Sequence, residues 1–329
     1  MKLNLESSTG DADEQLLPLI QDIDFDPIFI LGDHRSGTTL LYQLLASTQY
    51  FNYANFYHIT HYDEILQNHI KGNTASAKEK LNQLLQSLGL HDRIFDGVRV
   101  SPDLPEEYGY ILWREAPFWY LPRLNHNNVR NLLELGAKVQ FTQTPGRPVL
   151  LKGPWDFPNF AFAKSVFPKA RFIFIHRHPI HVINSKLKAM RSALAEMNPY
   201  TALLAPGYAR LFRRPVQLFI ARLLFSSHLN MGLRLLLQYS SMAGRYFLKY
   251  IGSLSQKEYV SVRYEDLCER PEDMISRVLR HLGFKPEKDI RGTETVDPRN
   301  PDLLPEVTEN YTLIRQQLRT IMEMNGYFG

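Results

Sequence analysis

The chain has 329 residues, of which 44% are hydrophobic and 22% charged, and its formal net charge is +4. This composition is typical of a globular protein, and it excludes a collagen-like or highly charged disordered chain. The one cysteine, Cys268, excludes an intramolecular disulfide framework and suits a reducing compartment. Because the N-terminus lacks the apolar core of a signal peptide and no run suits a membrane span, we expect a cytoplasmic protein.

Short apolar runs alternate with helical patterns along the chain. After a loose tail over 1–24, strands are predicted at 28–31, 149–151, 172–175 and 259–262. Helices are predicted at 39–47, 75–88, 128–141, 157–166, 179–190, 271–282 and 310–324. Because the strands are almost continuously apolar, they suit a parallel sheet covered on both faces. We therefore expect one α/β domain over 25–329, doubly wound around a mostly parallel sheet with helices on both faces.

A basic and apolar segment interrupts this alternation. Residues 197–257 contain no Asp or Glu but hold eight Arg and Lys residues among many Leu, Phe and Tyr. The segment predicts a helical insertion at about 192–255. Its first interpretation is a pair of packed helices. The second is a lid that contacts anionic membrane through 205–235 or receives an amphiphilic acceptor.

The segment PIFILGDHRSGTTLLYQLLAST, residues 27–48, has the order strand, glycine turn, helix. From Gly32 to Thr39 its spacing is that of a phosphate-binding loop, but Thr38 stands where a nucleotide triphosphatase has lysine. The nearest cation, Arg35, lies inside the loop. The backbone N–H groups of the turn still suit an anion. The loop therefore favours a nucleotide that does not present a triphosphate.

A second strand, turn and helix follow in RFIFIHRHPIHVINS, residues 171–185. A kinase or GTPase strand would usually end in an aspartate that holds Mg²⁺. Here the strand ends in His176, Arg177 and His178, which would repel a metal and attract an anion. Ser185 lies eight residues after Arg177. Two anion sites without a metal-binding acid indicate a nucleotide with separated phosphates, and no metal is expected.

These motifs resemble those of the sulfotransferases that use 3′-phosphoadenosine 5′-phosphosulfate (PAPS). The pair is RSGTTLL after one strand and R-x-P-x-x-x-x-x-S after a later one, and the LLKGP and VRYEDL segments at 150–154 and 262–267 agree. The resemblance spans roughly 27–283, and it is nearer to the bacterial and tyrosylprotein branch than to the cytosolic small-molecule branch. It implies PAPS as donor and adenosine 3′,5′-bisphosphate as product, with no metal required.

The resemblance also implies roles for individual residues. The loop would hold the 5′-phosphosulfate, and Arg177 and Ser185 would hold the 3′-phosphate. From the needs of sulfuryl transfer, Arg35 and Lys152 are the candidates to stabilise negative charge on the sulfuryl group and the leaving oxygen. Tyr264 would pack or support the adenine side rather than react. The cofactor-binding loop residues are Arg35, Ser36, Gly37, Thr38 and Thr39.

The general base that takes the acceptor proton is sought in two segments, 56–64 and 105–107. The preferred candidates are His61 and Glu107, with Glu106 close behind, since a histidine or a carboxylate of raised pKa can accept a hydroxyl proton. His58 and His61 have a metal-like spacing, but one histidine pair is a weak metal signal.

Three classes of function follow from these residues. The first is a PAPS-dependent sulfotransferase (EC 2.8.2 class) acting in line on a hydroxyl. The alternative is a P-loop kinase that holds Mg²⁺ through Asp266 or another acid, and the third is a nucleotide-binding adaptor without catalysis. The acceptor would be amphiphilic, carbohydrate or aromatic, since Trp113 and the aromatic residues at 118–120 fall near its expected side. Nucleic-acid binding is disfavoured because no recognisable module carries the basic residues.

Overall fold

Five parallel strands form one sheet among the residues that the computed structural model describes, which are 11–93, 97–114, 121–228, 230–286 and 302–327. The strands in chain order are β1 (Pro27–Leu31), β2 (Asn52–Tyr53), β3 (Val149–Lys152), β4 (Arg171–His176) and β5 (Tyr259–Arg263). Their order across the sheet is β2-β3-β1-β4-β5. The order changes direction at β1, so the carboxyl end of β1 is where a ligand crevice is expected.

Helices connect and cover these strands. Those before β3 are α1 (Thr38–Ser47), α2 (Phe56–Thr60), α3 (Ile65–Ile70), α4 (Thr74–Ser87), α5 (Gly109–Trp113) and α6 (Val129–Thr142). Those between β3 and β5 are α7 (Phe160–Val166), α8 (Pro179–Ala195), α9 (Pro199–Leu204), α10 (Pro206–Leu211), α11 (Pro215–Leu224) and α12 (Met231–Tyr250). After β5 come α13 (Tyr264–Glu269), α14 (Pro271–His281), α15 (Pro305–Glu309), α16 (Tyr311–Gln317) and α17 (Arg319–Met324).

Alternate strand residues point to opposite, buried faces of the sheet. Phe29 and Phe174 enter the larger core, which α6, α7 and α12 cover. Ile30 and Ile175 enter a second core, which α1 and α14 cover. Because both faces are buried, the strands are mostly apolar, and their charged residues lie at strand ends, as Lys152 does in β3. The predicted doubly wound α/β fold with a parallel sheet is confirmed.

Several element boundaries differ from the predictions. Strand β2 has two residues, too few to give a readable pattern. The helix predicted over 310–324 is divided into α16 and α17 at Leu318, whose φ of −103° and ψ of 8° leave the helical region. The helix predicted from 157 begins at Phe160, after a 3₁₀ turn containing Pro158. Proline removes a donor and clashes with the preceding turn, so the regular helix begins later.

The N-terminal segment differs from a loose tail where the structure describes it, from residue 11 onward. Asp13 is fully buried. Its carboxylate accepts from the backbone N–H of Leu66 (3.0 Å) and of Gln67 (2.9 Å). It also lies 3.0 Å from Lys138 Nζ on α6. These bonds fasten the segment to α3 and α6, while residues 1–10 lie outside the described part of the chain.

The predicted insertion consists of the end of α8 and helices α9 to α12. The twenty-residue α12 packs against α8 and against the 3₁₀ turn that follows β3. Phe247 of α12 contacts Phe174 of β4 with ring centroids 5.0 Å apart. The insertion is therefore continuous with the larger core. None of the helices in the described ranges has the length and apolarity required to cross a membrane.

Candidate active site

The loop between β1 and α1 requires glycine at two positions. A Cβ on Gly32 would lie 2.4 Å from the carbonyl oxygen of Ile175 and 2.5 Å from Ser36 Oγ. Gly37 has a φ of +100°, and a Cβ there would lie 2.3 Å from the ring of Tyr264. Both glycines therefore allow a close turn that leads into the N-terminus of α1. The Oγ of Ser36 is buried without a hydrogen-bond partner among the described residues, so the loop leaves a donor available for an anion.

Asp33 of this loop is joined to α8 and to α12. Lys186 of α8 donates to its carboxylate over 2.5 Å, and the hydroxyl of Ser240 on α12 donates to it over 2.7 Å. Lys186 also donates to Ser240 over 2.7 Å. Burial lowers the pKa of Lys186, and the Asp33 carboxylate opposes that effect. No sequence motif indicated this triad, because its members are brought together only by the fold.

The residues predicted for the second anion site lie beside the loop. Arg177 follows β4, and its guanidinium is stacked 4.4 Å from the ring centre of Tyr264. Its Nη1 donates to the carbonyl oxygen of Arg35 over 3.4 Å. The Nε of Arg35 donates to Ser185 Oγ over 3.2 Å. Four of the predicted nucleotide residues are thus in one place, at the carboxyl ends of β1 and β4.

A cavity opens between this group and the C-terminal helices. Its walls include Asp33, Ser36, His176 and Arg177 on one side and Gly244 of α12 on the other. Burial lowers the pKa of His176 to about 4, so its imidazole is neutral near pH 7. The glycine turn, the available Ser36 hydroxyl and two arginines fit a nucleotide with separated phosphates.

Lys152 lies at the end of β3 with its ammonium group buried among polar atoms. Nζ donates to Thr39 Oγ1 over 3.2 Å. It lies 3.7 Å from Glu106 Oε1 and 3.9 Å from Glu107 Oε1. The predicted Lys152 and Glu107 are therefore neighbours, and Thr39 joins them to the phosphate-binding loop.

The two adjacent glutamates differ in their contacts. Glu106 is fully buried; it receives a bond from Arg93 Nη1 (3.3 Å) and a short bond from the hydroxyl of Tyr200. Burial raises the pKa of Glu107, and Glu106 adds to that effect, while Lys152 opposes it. Glu107 Oε2 is buried without a hydrogen-bond partner in the described ranges, whereas Glu106 is held from several sides. A carboxyl of raised pKa with an available oxygen suits a general base.

Arg93 and Tyr200 were absent from the sequence predictions. Arg93 lies just before residues 94–96, which are outside the described part of the chain, and Tyr200 belongs to α9. Both are buried, and both point at Glu106. The chain segments that carry them have no phosphate or catalytic motif, so no sequence signal was available.

The structure does not bring His61 into this group. His61 follows α2, shares a hydrogen bond of 2.9 Å with Thr60 Oγ1, and stacks on Tyr57 with ring centroids 5.0 Å apart. Burial lowers the pKa of His58 to about 3, and its Nδ1 accepts from the Asn55 N–H over 3.2 Å. The pair thus has local structural contacts. No cluster of three or more His, Cys, Asp or Glu suited to a metal occurs within the described ranges.

The predicted acceptor-side aromatic residues are only partly described. Trp113 ends α5 and packs near Tyr208 and Phe212 of the insertion. The aromatic residues at 118–120 lie outside the described residues.

Known proteins with similar sequence are sulfotransferases. Two curated relatives, each named omega-hydroxy-beta-dihydromenaquinone-9 sulfotransferase Stf3, come from Mycobacterium bovis and Mycobacterium tuberculosis. Each is 24% identical over 270 residues, which are 78% of this chain and 63% of the relative. The chain thus spans less than two thirds of the length of these relatives.

Two solved structures of similar fold are mycobacterial sulfotransferases. Sulfotransferase STF9 from Mycobacterium avium has a TM-score of 0.62 at 16% identity, covering 94% of this chain and 79% of its own. Sulfotransferase STF1 from Mycobacterium tuberculosis has a TM-score of 0.56 at 14% identity, covering 93% of this chain and 80% of its own. The model of the Sulfotransferase family matches residues 27–288, which is most of the chain. This range includes both anion-site motifs and the acidic pair, Glu106 and Glu107. On this match, the chain belongs to the Sulfotransferase family.

Proposed function

We propose that the protein transfers a sulfuryl group from PAPS to a hydroxyl acceptor. Family membership supports sulfuryl transfer as the reaction class. The observation that carries PAPS as the donor is the convergence of Arg35, Arg177, Ser185 and Tyr264 beside a loop with an available Ser36 hydroxyl. A nucleotide with two separated phosphates would occupy both the loop and the site of Arg177 and Ser185, whereas a triphosphate would need only the loop.

Each residue of the group has a role in this proposal. The N–H groups of 36–39 bind the 5′-phosphate, and Arg177 with Ser185 binds the 3′-phosphate. When bound, PAPS supplies a sulfuryl group whose bond to the 5′-phosphate oxygen breaks while a bond to the acceptor oxygen forms. Arg35 and Lys152 stabilise the charge that develops on the leaving oxygen, and removing such a group typically costs about 10²–10³ in rate.

Glu107 is the proposed base. Its Oε2 accepts the acceptor's hydroxyl proton, which its raised pKa makes more favourable than for an exposed glutamate. Glu106 positions Lys152 and, through its bond from the Glu107 N–H (2.9 Å), the base itself. Arg93 and Tyr200 hold Glu106 in place. The proposal assigns no role to His61.

The acceptor class is proposed from the curated relatives and from the insertion. The curated relatives are named for a hydroxylated dihydromenaquinone, which is an amphiphilic hydroxyl compound. A hydroxyl acceptor of that chemistry, with peripheral membrane contact through 205–235, is compatible with the basic and apolar insertion. A cytoplasmic location with no nucleic-acid partner completes the proposal.

The first test is thermal stabilisation by adenosine 3′,5′-bisphosphate in EDTA, with ATP as comparator. Binding at a hundredfold excess over Kd stabilises a protein by about 2.7 kcal/mol, so a clear shift in Tm is expected. Arg177→Ala should reduce the shift. Arg130→Ala, a change of an exposed arginine on α6, should not. A shift with ATP alone that needs Mg²⁺ would favour the kinase alternative and Asp266.

Catalysis is tested separately by release of the bisphosphate from PAPS in the presence of hydroxyl acceptors. Turnover that is lost in Glu107→Gln while bisphosphate binding is retained supports the assigned base. Undiminished turnover in that variant contradicts it. Retained nucleotide binding with no turnover on any acceptor would favour the adaptor alternative.

A further inference from the structure

Helix α11 presents an apolar face to solvent. Val216, Phe219, Ile220 and Leu223 are exposed to 70%, 65%, 58% and 47%. Their spacing of i, i+3, i+4 and i+7 places them along one side of the helix. Scattered exposed apolar residues are normal on a protein surface, but a continuous stripe on one helix indicates an interaction surface.

The opposite side of α11 is fixed to the protein. Leu218 is buried with Leu194 of α8 and Leu211 of α10. Arg222 donates through Nε to the carbonyl oxygen of Leu194 and through Nη2 to that of Ala195, each over 2.8 Å. These contacts orient the helix, so its outer stripe faces solvent within a packed arrangement.

Exposed arginines flank α11 along the chain. Arg210, Arg213 and Arg214, just before α11, are exposed. The N-terminal half of α12 adds exposed Arg234 beside exposed Leu235. Since 197–257 contain no Asp or Glu, no acidic side chain of this segment neutralises them. A second copy of the same face would bring like charges together, whereas an anionic lipid surface matches both the charge and the apolar stripe.

The insertion also connects this face to the acidic pair. Tyr200 of α9 donates to Glu106, and α10 packs against both α9 and α11. A hydroxyl compound held in a bilayer at α11 would therefore lie against a group of packed helices, α9 to α11, in which α9 contacts Glu106, the neighbour of the proposed base.

We propose that the α11 face, defined as Val216, Phe219, Ile220 and Leu223 with Arg210, Arg213 and Arg214, docks on an anionic bilayer. The docked protein takes a hydroxyl-bearing amphiphile from that bilayer as acceptor. The acceptor part of this inference rests on the proposed sulfuryl transfer, whereas the docking does not depend on it.

The test is co-sedimentation of the full chain with phosphatidylcholine vesicles that contain or lack phosphatidylglycerol. We expect binding to the anionic vesicles that weakens as salt rises, because the Debye length shortens. The double substitution Phe219→Ser with Ile220→Ser should reduce the partition coefficient about tenfold or more, because it removes apolar surface that enters the interface. The matched control is Ile70→Ser with Leu133→Ser, two exposed apolar residues on α3 and α6.

The outcomes separate the two proposals. Equal sedimentation of wild type and the α11 variant, or no binding to anionic vesicles, overturns the docking. Binding of the α11 face to an acidic protein, without binding to the anionic vesicles, overturns it as well. The thermal shift with adenosine 3′,5′-bisphosphate should be unchanged in the α11 variant. If wild type lacks that shift yet binds vesicles, the proposed function fails while the docking stands.

Discussion

Replacing Lys152 with glutamine should move the acid limb of the pH–rate profile toward higher pH. As the proposed base, Glu107 must be deprotonated to accept a proton, so kcat/KM for the acceptor should fall as pH drops through the pKa of its carboxyl. Lys152 favours the ionised form and holds that pKa down. Without the Lys152 ammonium group, the Glu107 carboxyl is more easily protonated, so the acid limb moves to higher pH.

The separation of the two groups sets the size of the shift. Lys152 Nζ lies 3.9 Å from Glu107 Oε1. Two unit charges at that distance interact by about 4 kcal/mol at an effective dielectric constant of 20 and by about 1 kcal/mol in bulk water. At 1.36 kcal/mol per unit, the limb should move by about 1 to 3 pH units. The plateau rate should fall as well, but the position of the limb is independent of its height.

The assay is bisphosphate release across pH at saturating PAPS. Glu106→Gln should shift the limb to lower pH, because Glu106 raises the pKa of Glu107. Lys169→Gln is the control: the lysine pairs with Asp24 at the surface, with its side chain 71% exposed, so the limb should not move. A limb that stays in place or moves downward in Lys152→Gln would refute the assignment of Glu107 as base.

Three further predictions concern the loop, the N-terminal segment and the acidic pair. Gly37→Ala should abolish the thermal shift with adenosine 3′,5′-bisphosphate, because its Cβ would enter a tyrosine ring, whereas Gly252→Ala, with no atom within 4 Å, should retain it. Asp13→Ala should cost about 3 kcal/mol of unfolding free energy in urea, because the buried Lys138 loses its fully buried carboxylate partner and keeps the half-buried Glu134. A change below about 0.5 kcal/mol, ordinary for a surface site, would contradict the packed segment. Tyr200→Phe should lower kcat about tenfold, since a hydrogen bond to a buried carboxylate is lost, while nucleotide affinity stays unchanged; a reduced thermal shift would argue against this role.

Local sequence patterns predicted most of the fold. The apolar runs at β1, β3, β4 and β5 are long enough to read, and the glycine turn after β1 has a fixed spacing. Parallel strands bring their carboxyl ends to one edge, so the neighbourhood of the loop, Lys152 and Arg177 followed from the order of elements. The two-residue β2 and the break at Leu318 did not, because neither leaves a periodic signal.

The sequence by itself determined the α/β class and the two anion motifs, because turn geometry and phosphate binding depend on residues close together in the chain. Tertiary structure placed Glu107 beside Lys152 and His61 against Tyr57, since these contacts arise from the packing of the chain. It also decided that Arg93 and Tyr200 hold Glu106 and that Asp13 fastens the N-terminal segment. Charges separated along the chain become neighbours only when packing brings them together, so no local pattern records them.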